Sequence, residues 1–114
     1  MKLQVVFHID ELDKWDLLLK NVENFLKELD ASNLTIEVLA NAVAVSAYLK
    51  SSKQARKMEF ARLNSKNVRF VACQNSLNSL KIQSDELFDF VKIVPSGVVE
   101  LAKKQNEGFS YIKP

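Results

Sequence analysis

The feature that most constrains the fold of this chain is a regular alternation between β-type runs and helical segments along its whole length. Runs rich in β-branched and aromatic residues predict strands at 2–9, 34–40, 67–73, 89–94 and 109–113. Helical segments lie between them, which is typical of a mostly parallel sheet with helices on both faces. We therefore predict an α/β fold, a three-layer α/β/α sandwich with a sheet of about five strands.

The helical segments differ in the strength of their signals. Between Trp15 and Leu29, apolar residues recur every three or four positions, and Asp10 is the expected N-cap of this helix. The other predicted helices are a cationic one over 52–66, one or two short ones over 74–88, and one that begins at or near Pro95 and is ended by Gly108.

The composition narrows the classes of function. The 114 residues have the size of one domain, 1–114, and 47% of them are hydrophobic, enough to bury a core. Two glycines are too few for a Walker loop or a dinucleotide fingerprint, and one histidine with one cysteine cannot form a Cys/His zinc site. We therefore expect no cofactor and no metal, and a net charge of +2 does not favour nucleic acid as a partner.

The sequence also indicates in which cellular compartment the protein is expected. The first residues turn acidic after a short apolar run, unlike a signal peptide, and no apolar run approaches the roughly 20 residues of a membrane span. The single cysteine excludes an intrachain disulfide framework and fits a reducing environment. We expect a cytoplasmic protein that does not act at a membrane.

The residues best suited to chemistry stand where the predicted strands end. In open parallel sheets, ligands bind beyond the carboxyl ends of the strands, so these residues predict a site at that edge. They are His8, Asn41 and Cys73 after the first three strands, and Pro95, Ser96 and Gly97 after the fourth.

Cys73 is the sharpest of these candidates. It is followed by Gln74, Asn75 and Ser76, which offer capping side chains and free N–H groups if a helix starts there. A helix N-terminus favours a thiolate, which is the species that attacks a persulfide or a disulfide. The alternative is a buried and inert side chain, as free cysteines commonly are.

The other candidates have plainer alternatives. His8 could orient or deprotonate a group at the same edge, or be a hydrogen-bonded structural residue. Ser96 and Gly97 could present N–H groups to an anion or simply begin a helix, and Asn41 suits a strand-to-helix turn. The cations between 50 and 69 could meet RNA, although a solvated helix face explains them better.

Three blocks of the sequence resemble the DsrE/DsrF-like (YchN-like) superfamily, in particular a small stand-alone bacterial branch. They are Ala-Cys-x-Asn-Ser-Leu at 72–77, Val-Pro-Ser-Gly-Val-Val-Glu-Leu at 94–101, and the tail over 103–114. The resemblance covers nearly the whole chain and implies an α/β/α domain that forms trimers or hexamers. The sequence differs from the family at the turn after the second strand, where such proteins often carry glycine and this chain has Asn41 and Ala42.

The resemblance also implies a role for the cysteine. In characterised members, a cysteine after the third strand carries sulfur as a persulfide between a donor and an acceptor protein. That role falls on Cys73, with His8 and Asn75 as its neighbours. The open alternatives are a non-catalytic oligomeric binding or assembly subunit with an incidental buried cysteine, and a small-anion-binding protein. Whether the chain is an enzyme also stays open.

Two segments are candidates for contact between copies of the chain. Residues 42–49 are apolar nearly all round, so we expect them to be buried in the core or against a partner. Phe109 and Tyr111 would lie on one side of the closing strand. Because a chain this short covers limited surface, we expect a homo-oligomer.

Overall fold

The computed structural model describes the backbone of all 114 residues and every side chain except that of Ala55. Its five strands form one sheet with the order β4-β3-β2-β1-β5, and each neighbouring pair is parallel. The predicted α/β fold is confirmed, with a sheet that is parallel throughout. The strands are β1 (Leu3–Ile9), β2 (Leu34–Ala40), β3 (Val68–Cys73), β4 (Lys92–Val94) and β5 (Ser110–Ile112).

Four α-helices connect the strands. None of the described helices is both long enough and apolar enough to cross a lipid bilayer. The helices are α1 (Trp15–Glu28), α2 (Gln54–Ser65), α3 (Gln74–Ser79) and α4 (Gly97–Asn106), with short 3-10 helices at Leu12–Lys14, Ala31–Asn33, Ala42–Tyr48 and Ser84–Glu86.

The path of the chain covers the two faces of the sheet unequally. From β1 to β4 each strand adds beside the previous one, whereas α4 carries the chain back across the sheet to β5, beside β1. Because such crossovers are right-handed, reversing the direction moves the connecting helix to the other face. The face with α1, α2 and α3 holds the main core, and α4 alone among the described helices packs on the smaller cluster. That cluster consists of Val6, Leu39, Val71, Leu101 and Phe109.

Most of the apolar segment at 42–49 packs into the main core. Trp15 Nε1–H donates to the Ala44 carbonyl oxygen at 3.1 Å, and the Tyr48 hydroxyl donates to the carbonyl oxygens of Val38 and Val71 at 3.2 and 3.1 Å. The segment is therefore held against the sheet as a 3-10 helix. Within the single chain most of the segment is buried, whereas Val43 is 44% exposed, so burial of Val43 against a partner stays a prediction.

Several predicted boundaries need correction. Asp10 is not an N-cap; it pairs with Lys113 at 3.3 Å, and α1 begins after the 3-10 turn at Leu12–Lys14. The fourth strand is shorter than predicted, because Phe90 and Val91 pack against the main core and lie outside the sheet ladder.

The last helix also begins later than predicted. Pro95 precedes its N-cap, Ser96, and α4 starts at Gly97. Gly108 adopts the left-handed conformation (φ +98°) that terminates the helix, as predicted. Phe109 is buried in the small core, so its predicted role as a contact between copies is wrong, whereas Tyr111 is exposed.

Candidate functional site

The sulfur of Cys73 lies at the junction of two elements at the carboxyl edge of the sheet. Cys73 ends β3 and occupies the N-cap position of α3. The Gly97 N–H at the start of α4 donates to its Sγ at 3.2 Å. The N–H groups of Asn75 and Ser76 face the sulfur from the first turn of α3 without completing a cap hydrogen bond. The Cys73 side chain is only 5% exposed.

The Ser76 hydroxyl links this sulfur to the turn after β2. The Ala42 N–H donates to Ser76 Oγ at 2.7 Å, and the Ser76 hydroxyl in turn donates to the Cys73 sulfur. Because a hydroxyl has a single hydrogen, accepting from Ala42 leaves that hydrogen free for the sulfur. Ala42 has a φ of +50°, in the left-handed region that favours glycine.

These donors change the acidity of the thiol. Burial raises the pKa of Cys73, but the Ser76 hydroxyl, the hydrogen bond from the Gly97 N–H and the nearby N–H groups of Ser76 and Asn75 together outweigh it. The pKa of the thiol therefore lies below its ordinary value. The surroundings of the sulfur stabilise a thiolate, which is the nucleophilic form of cysteine.

Gly97 allows α4 to approach the sulfur closely. A Cβ at this position would lie 3.1 Å from Cys73 Cβ, 3.2 Å from Leu39 Cδ1 and 3.4 Å from Asn41 Cβ. The first two distances are tighter than ordinary side-chain contacts, so any larger residue would require its neighbours to move by a few tenths of an ångström.

His8 belongs to a separate chain of hydrogen bonds at the same edge. Its Nε2 is 3.0 Å from Asn41 Oδ1, and its Nδ1 is 2.6 Å from the Tyr111 hydroxyl. Because an amide oxygen only accepts, Nε2 carries the hydrogen, and the Nδ1 of neutral His8 accepts from Tyr111. Asn41, the partner of His8 Nε2, lies beside Gly97, and His8 makes no hydrogen bond to the sulfur among the described residues.

Pro95 and Ser96 lie at a groove between β4 and α4. The groove has a volume of about 270 Å³, and Val94, which pairs with Cys73 in the sheet, also lines it. Ser96 is the N-cap of α4 but makes no side-chain cap hydrogen bond. Of the predicted site residues, Asn75, Ser76 and Gly97 are thus brought next to Cys73, and Asn41 lies next to Gly97. Pro95 and Ser96 are placed at the groove.

The sequence interpretation missed two side chains on this face of the sheet. One is Tyr111, the partner of His8. The other is Glu37, a charged residue whose side chain is fully buried. It lies in the otherwise mostly apolar strand Leu-Thr-Ile-Glu-Val-Leu-Ala. A lone acidic residue in such a strand was the available signal. Among the described side chains, no group of three His, Cys, Asp or Glu residues is arranged to hold a metal ion.

The Glu37 carboxyl lies between the sheet and α4. Its Oε1 is 3.3 Å from a guanidinium nitrogen of Arg69 and 3.9 Å from Lys104 Nζ, although no donor among the described residues reaches either oxygen with hydrogen-bond geometry. Burial raises the pKa of Glu37 to about 8, helped by the nearby Glu100 carboxyl and opposed by the charges of Lys104 and Arg69.

Comparisons with known proteins agree with this fold. The profile of the DsrE/DsrF-like family matches residues 24–114. A solved protein of unknown function from Methanobacterium thermoautotrophicum has 34% sequence identity and a TM-score of 0.90, with 99% of this chain and 100% of that chain covered. The E. coli ychN protein has 21% sequence identity and a TM-score of 0.76, with full coverage of both chains. At this identity the comparison shows similarity of fold alone. No curated protein matches in sequence. The chain belongs to the DsrE/DsrF-like family.

Proposed function

We propose that the chain carries sulfane sulfur as a persulfide on Cys73, between a donor protein and an acceptor protein. The observation that carries the proposal is the contact of the Cys73 sulfur with the Gly97 N–H and the Ser76 hydroxyl. These donors favour the thiolate, and a thiolate is what sulfur transfer requires. Membership of a family associated with sulfur relay supports the same role.

The proposed step is a transfer without net oxidation. The Cys73 thiolate attacks the outer sulfur of a donor persulfide, R–S–SH, and forms a new S–S bond to it. The bond between the two donor sulfurs breaks, and the donor leaves as the thiolate R–S⁻. Cys73 then carries the outer sulfur with its hydrogen, and an acceptor thiolate removes it by the same attack in a second step.

Intact-mass measurement tests this function directly. The full chain is incubated with inorganic polysulfide, freed of excess reagent and weighed with and without a reductant. We expect the wild type to gain whole sulfur atoms that a reductant removes, and Cys73→Ser to gain none, because the chain has one cysteine. Equal gain by both proteins, or none by either, would rule out the carrier role.

A second candidate function follows from the burial of the sulfur. A side chain that is 5% exposed also suits a non-catalytic assembly subunit in which Cys73 is a small core residue. This candidate predicts slow alkylation by iodoacetamide in the folded protein and an unchanged oligomer in Cys73→Ala. Alkylation at neutral pH that is faster than that of an unfolded control would exclude it, because a core thiol is less reactive than a free one.

The exposed apolar side chains support assembly into a trimer or hexamer, which we propose for this chain. Val43 and Leu80 line a recess of about 420 Å³ beside Ser76, and Val98 and Val99 are exposed on the first turn of α4. Light scattering of the wild type and of Val98→Asp tests this assembly. A wild type that is monomeric at high concentration would contradict it.

A further inference from the structure

Three polar side chains form a row at the carboxyl edge of the sheet, on the face that α4 covers. They are His8, Asn41 and Cys73, and each stands two residues after a member of the small cluster beneath α4. Asn41 continues the path of β2 by one residue, because its N–H donates to the Ile9 carbonyl oxygen at 3.0 Å. Since side chains alternate between the two faces along a strand, the spacing of two residues places all three on the face of that cluster.

Asn41 is the polar one of the two residues that flank Cys73 across the sheet. On the β4 side, Cys73 pairs with Val94, which is apolar. On the β2 side, the ladder reaches the residues just before Asn41 and Cys73, so these two are next in register. Both lie against the beginning of α4, because a Cβ on Gly97 would stand 3.1 Å from Cys73 Cβ and 3.4 Å from Asn41 Cβ. The Asn41 amide is therefore the hydrogen-bonding side chain that flanks Cys73 in the sheet.

The Asn41 amide is held in one orientation by the hydrogen bonds of His8. The Tyr111 hydroxyl donates to Nδ1 of the neutral ring at 2.6 Å, and Nε2–H donates to Asn41 Oδ1 at 3.0 Å. This chain of bonds uses the amide oxygen and leaves both hydrogens of Asn41 Nδ2 without a partner among the described residues. Nδ2 is also not one of the buried side-chain atoms that lack a partner, so it is open to solvent. Asn41 thus offers an unused donor beside the sulfur.

Loading with sulfur changes which hydrogen bonds Cys73 requires. In the proposed function, Sγ binds a second, outer sulfur about 2 Å away. The Gly97 N–H and the Ser76 hydroxyl contact Sγ itself. When a persulfide ionises, the negative charge sits on the outer sulfur, and an anion attached to a mostly buried side chain needs a donor of its own.

We propose that the Asn41 amide donates a hydrogen bond to the outer sulfur of the Cys73 persulfide, and that His8 and Tyr111 are positioning residues that orient this amide. The inference rests on the proposed function and deepens it, because only a loaded Cys73 has an outer sulfur. The donors that contact Sγ favour the thiolate before loading, and the Asn41 amide favours the ionised persulfide afterwards.

The test follows ionisation of the outer sulfur. The full chain is loaded with inorganic polysulfide, freed of excess reagent, and titrated while the near-ultraviolet absorbance of the persulfide anion is recorded. We expect Asn41→Leu to raise the pH at which half of the outer sulfur is ionised by about one pH unit, the usual effect of losing one hydrogen bond to a charged group. Tyr111→Phe should shift this pH in the same direction but less, because the amide remains and only its orientation is freed. Asn41 has an extended backbone (φ −135°) that leucine also adopts.

The unloaded thiol distinguishes this hydrogen bond from a general loosening of the site. We expect Asn41→Leu to leave the pKa of unloaded Cys73, measured by the pH dependence of alkylation, as in the wild type, whereas Ser76→Ala should raise it. Asn24→Leu, at an exposed asparagine on α1, is the matched control and should match the wild type in both titrations. An outer sulfur that ionises alike in Asn41→Leu and the wild type, or that shifts only together with the unloaded thiol, would overturn the inference and leave the carrier role intact. A wild type that takes up no sulfur would overturn both.

Discussion

Ala42 has an unusual backbone conformation for its residue type. Its φ of +50° lies where a Cβ meets the following carbonyl oxygen, at a cost of about 1–2 kcal/mol. The conformation is held because the Ala42 N–H donates to Ser76 Oγ. Strain of this kind is common beside functional groups, and here it lies two hydrogen bonds from the Cys73 sulfur.

Replacing this alanine by glycine should therefore relieve strain. We expect Ala42→Gly to increase the free energy of unfolding by about 1 kcal/mol in urea denaturation. Ala44→Gly is the control, because Ala44 is buried in the same 3-10 helix without a positive φ and should lose stability. Equal destabilisation by both changes would show that Ala42 is not strained.

The Ser76 hydroxyl should make a measurable contribution to thiol acidity. Ser76→Ala removes a hydrogen bond to a charged sulfur, so we expect the pKa of Cys73 to rise and alkylation at neutral pH to slow by about tenfold. The measurement is the pH dependence of the alkylation rate. Ser79→Ala is the matched control, because that hydroxyl donates to the Asn75 carbonyl oxygen. A pKa that is the same in both variants would contradict the assigned role.

The sequence predicts some residues of the site but not the contacts between distant ones. Cys73, Asn41 and Gly97 are predictable because strand ends are marked by local pattern, and parallel strands bring their carboxyl ends to one edge. The contact between His8 and Tyr111 joins residues 103 positions apart, and it depends on the return of β5 to the side of β1. No local pattern encodes that return.

At the scale of elements, α4 is the helix on which the site depends. Gly97→Ala would place a Cβ 3.1 Å from Cys73 Cβ and 3.2 Å from Leu39 Cδ1, so these side chains or the helix must move by a few tenths of an ångström, which disturbs the contact between the Gly97 N–H and the sulfur. We expect about 1–3 kcal/mol of destabilisation together with a higher pKa of the Cys73 thiol, measured by denaturation and by alkylation.

A second glycine provides the control for this change. Gly108→Ala should also destabilise the protein, because Gly108 has a φ of +98°, but its Cβ would have only Gln4 within reach, at 3.6 Å. It should leave the pKa of Cys73 unchanged. A thiol that responds equally to both substitutions would indicate a general loosening of the fold.

The elements themselves were largely predictable. Apolar runs predict the three central strands to within one residue, because most residues of each strand are apolar and buried. The fourth strand is overpredicted at 89–94, because Phe90 and Val91 pack on the main core from outside the sheet ladder. Local hydrophobicity does not distinguish a strand residue from such a packing residue.

For the whole molecule, Glu37 should make stability depend on pH. Its pKa is raised in the folded chain from the ordinary value of 4.5 to about 8, so the folded state binds this proton more tightly than the unfolded state. The stabilising contribution is complete below about pH 4.5, falls between pH 4.5 and 8, and changes no further above that range.

Glu37→Gln should remove this dependence. We expect a smaller loss of unfolding free energy between pH 5 and 8 than in the wild type, because the amide does not titrate. Urea denaturation at several pH values measures the difference, with Glu28→Gln as the control. A variant whose pH profile follows the wild type would assign the dependence to another group.

The outer strands β4 and β5 have three residues each and are followed by Pro95 and by Lys113 with Pro114. Short borders that end in proline or lysine are poor templates for the addition of another strand. Fibril-like growth by lateral strand addition is therefore disfavoured at both sides of the molecule. We therefore expect copies of this chain to associate through side chains rather than by pairing of strands.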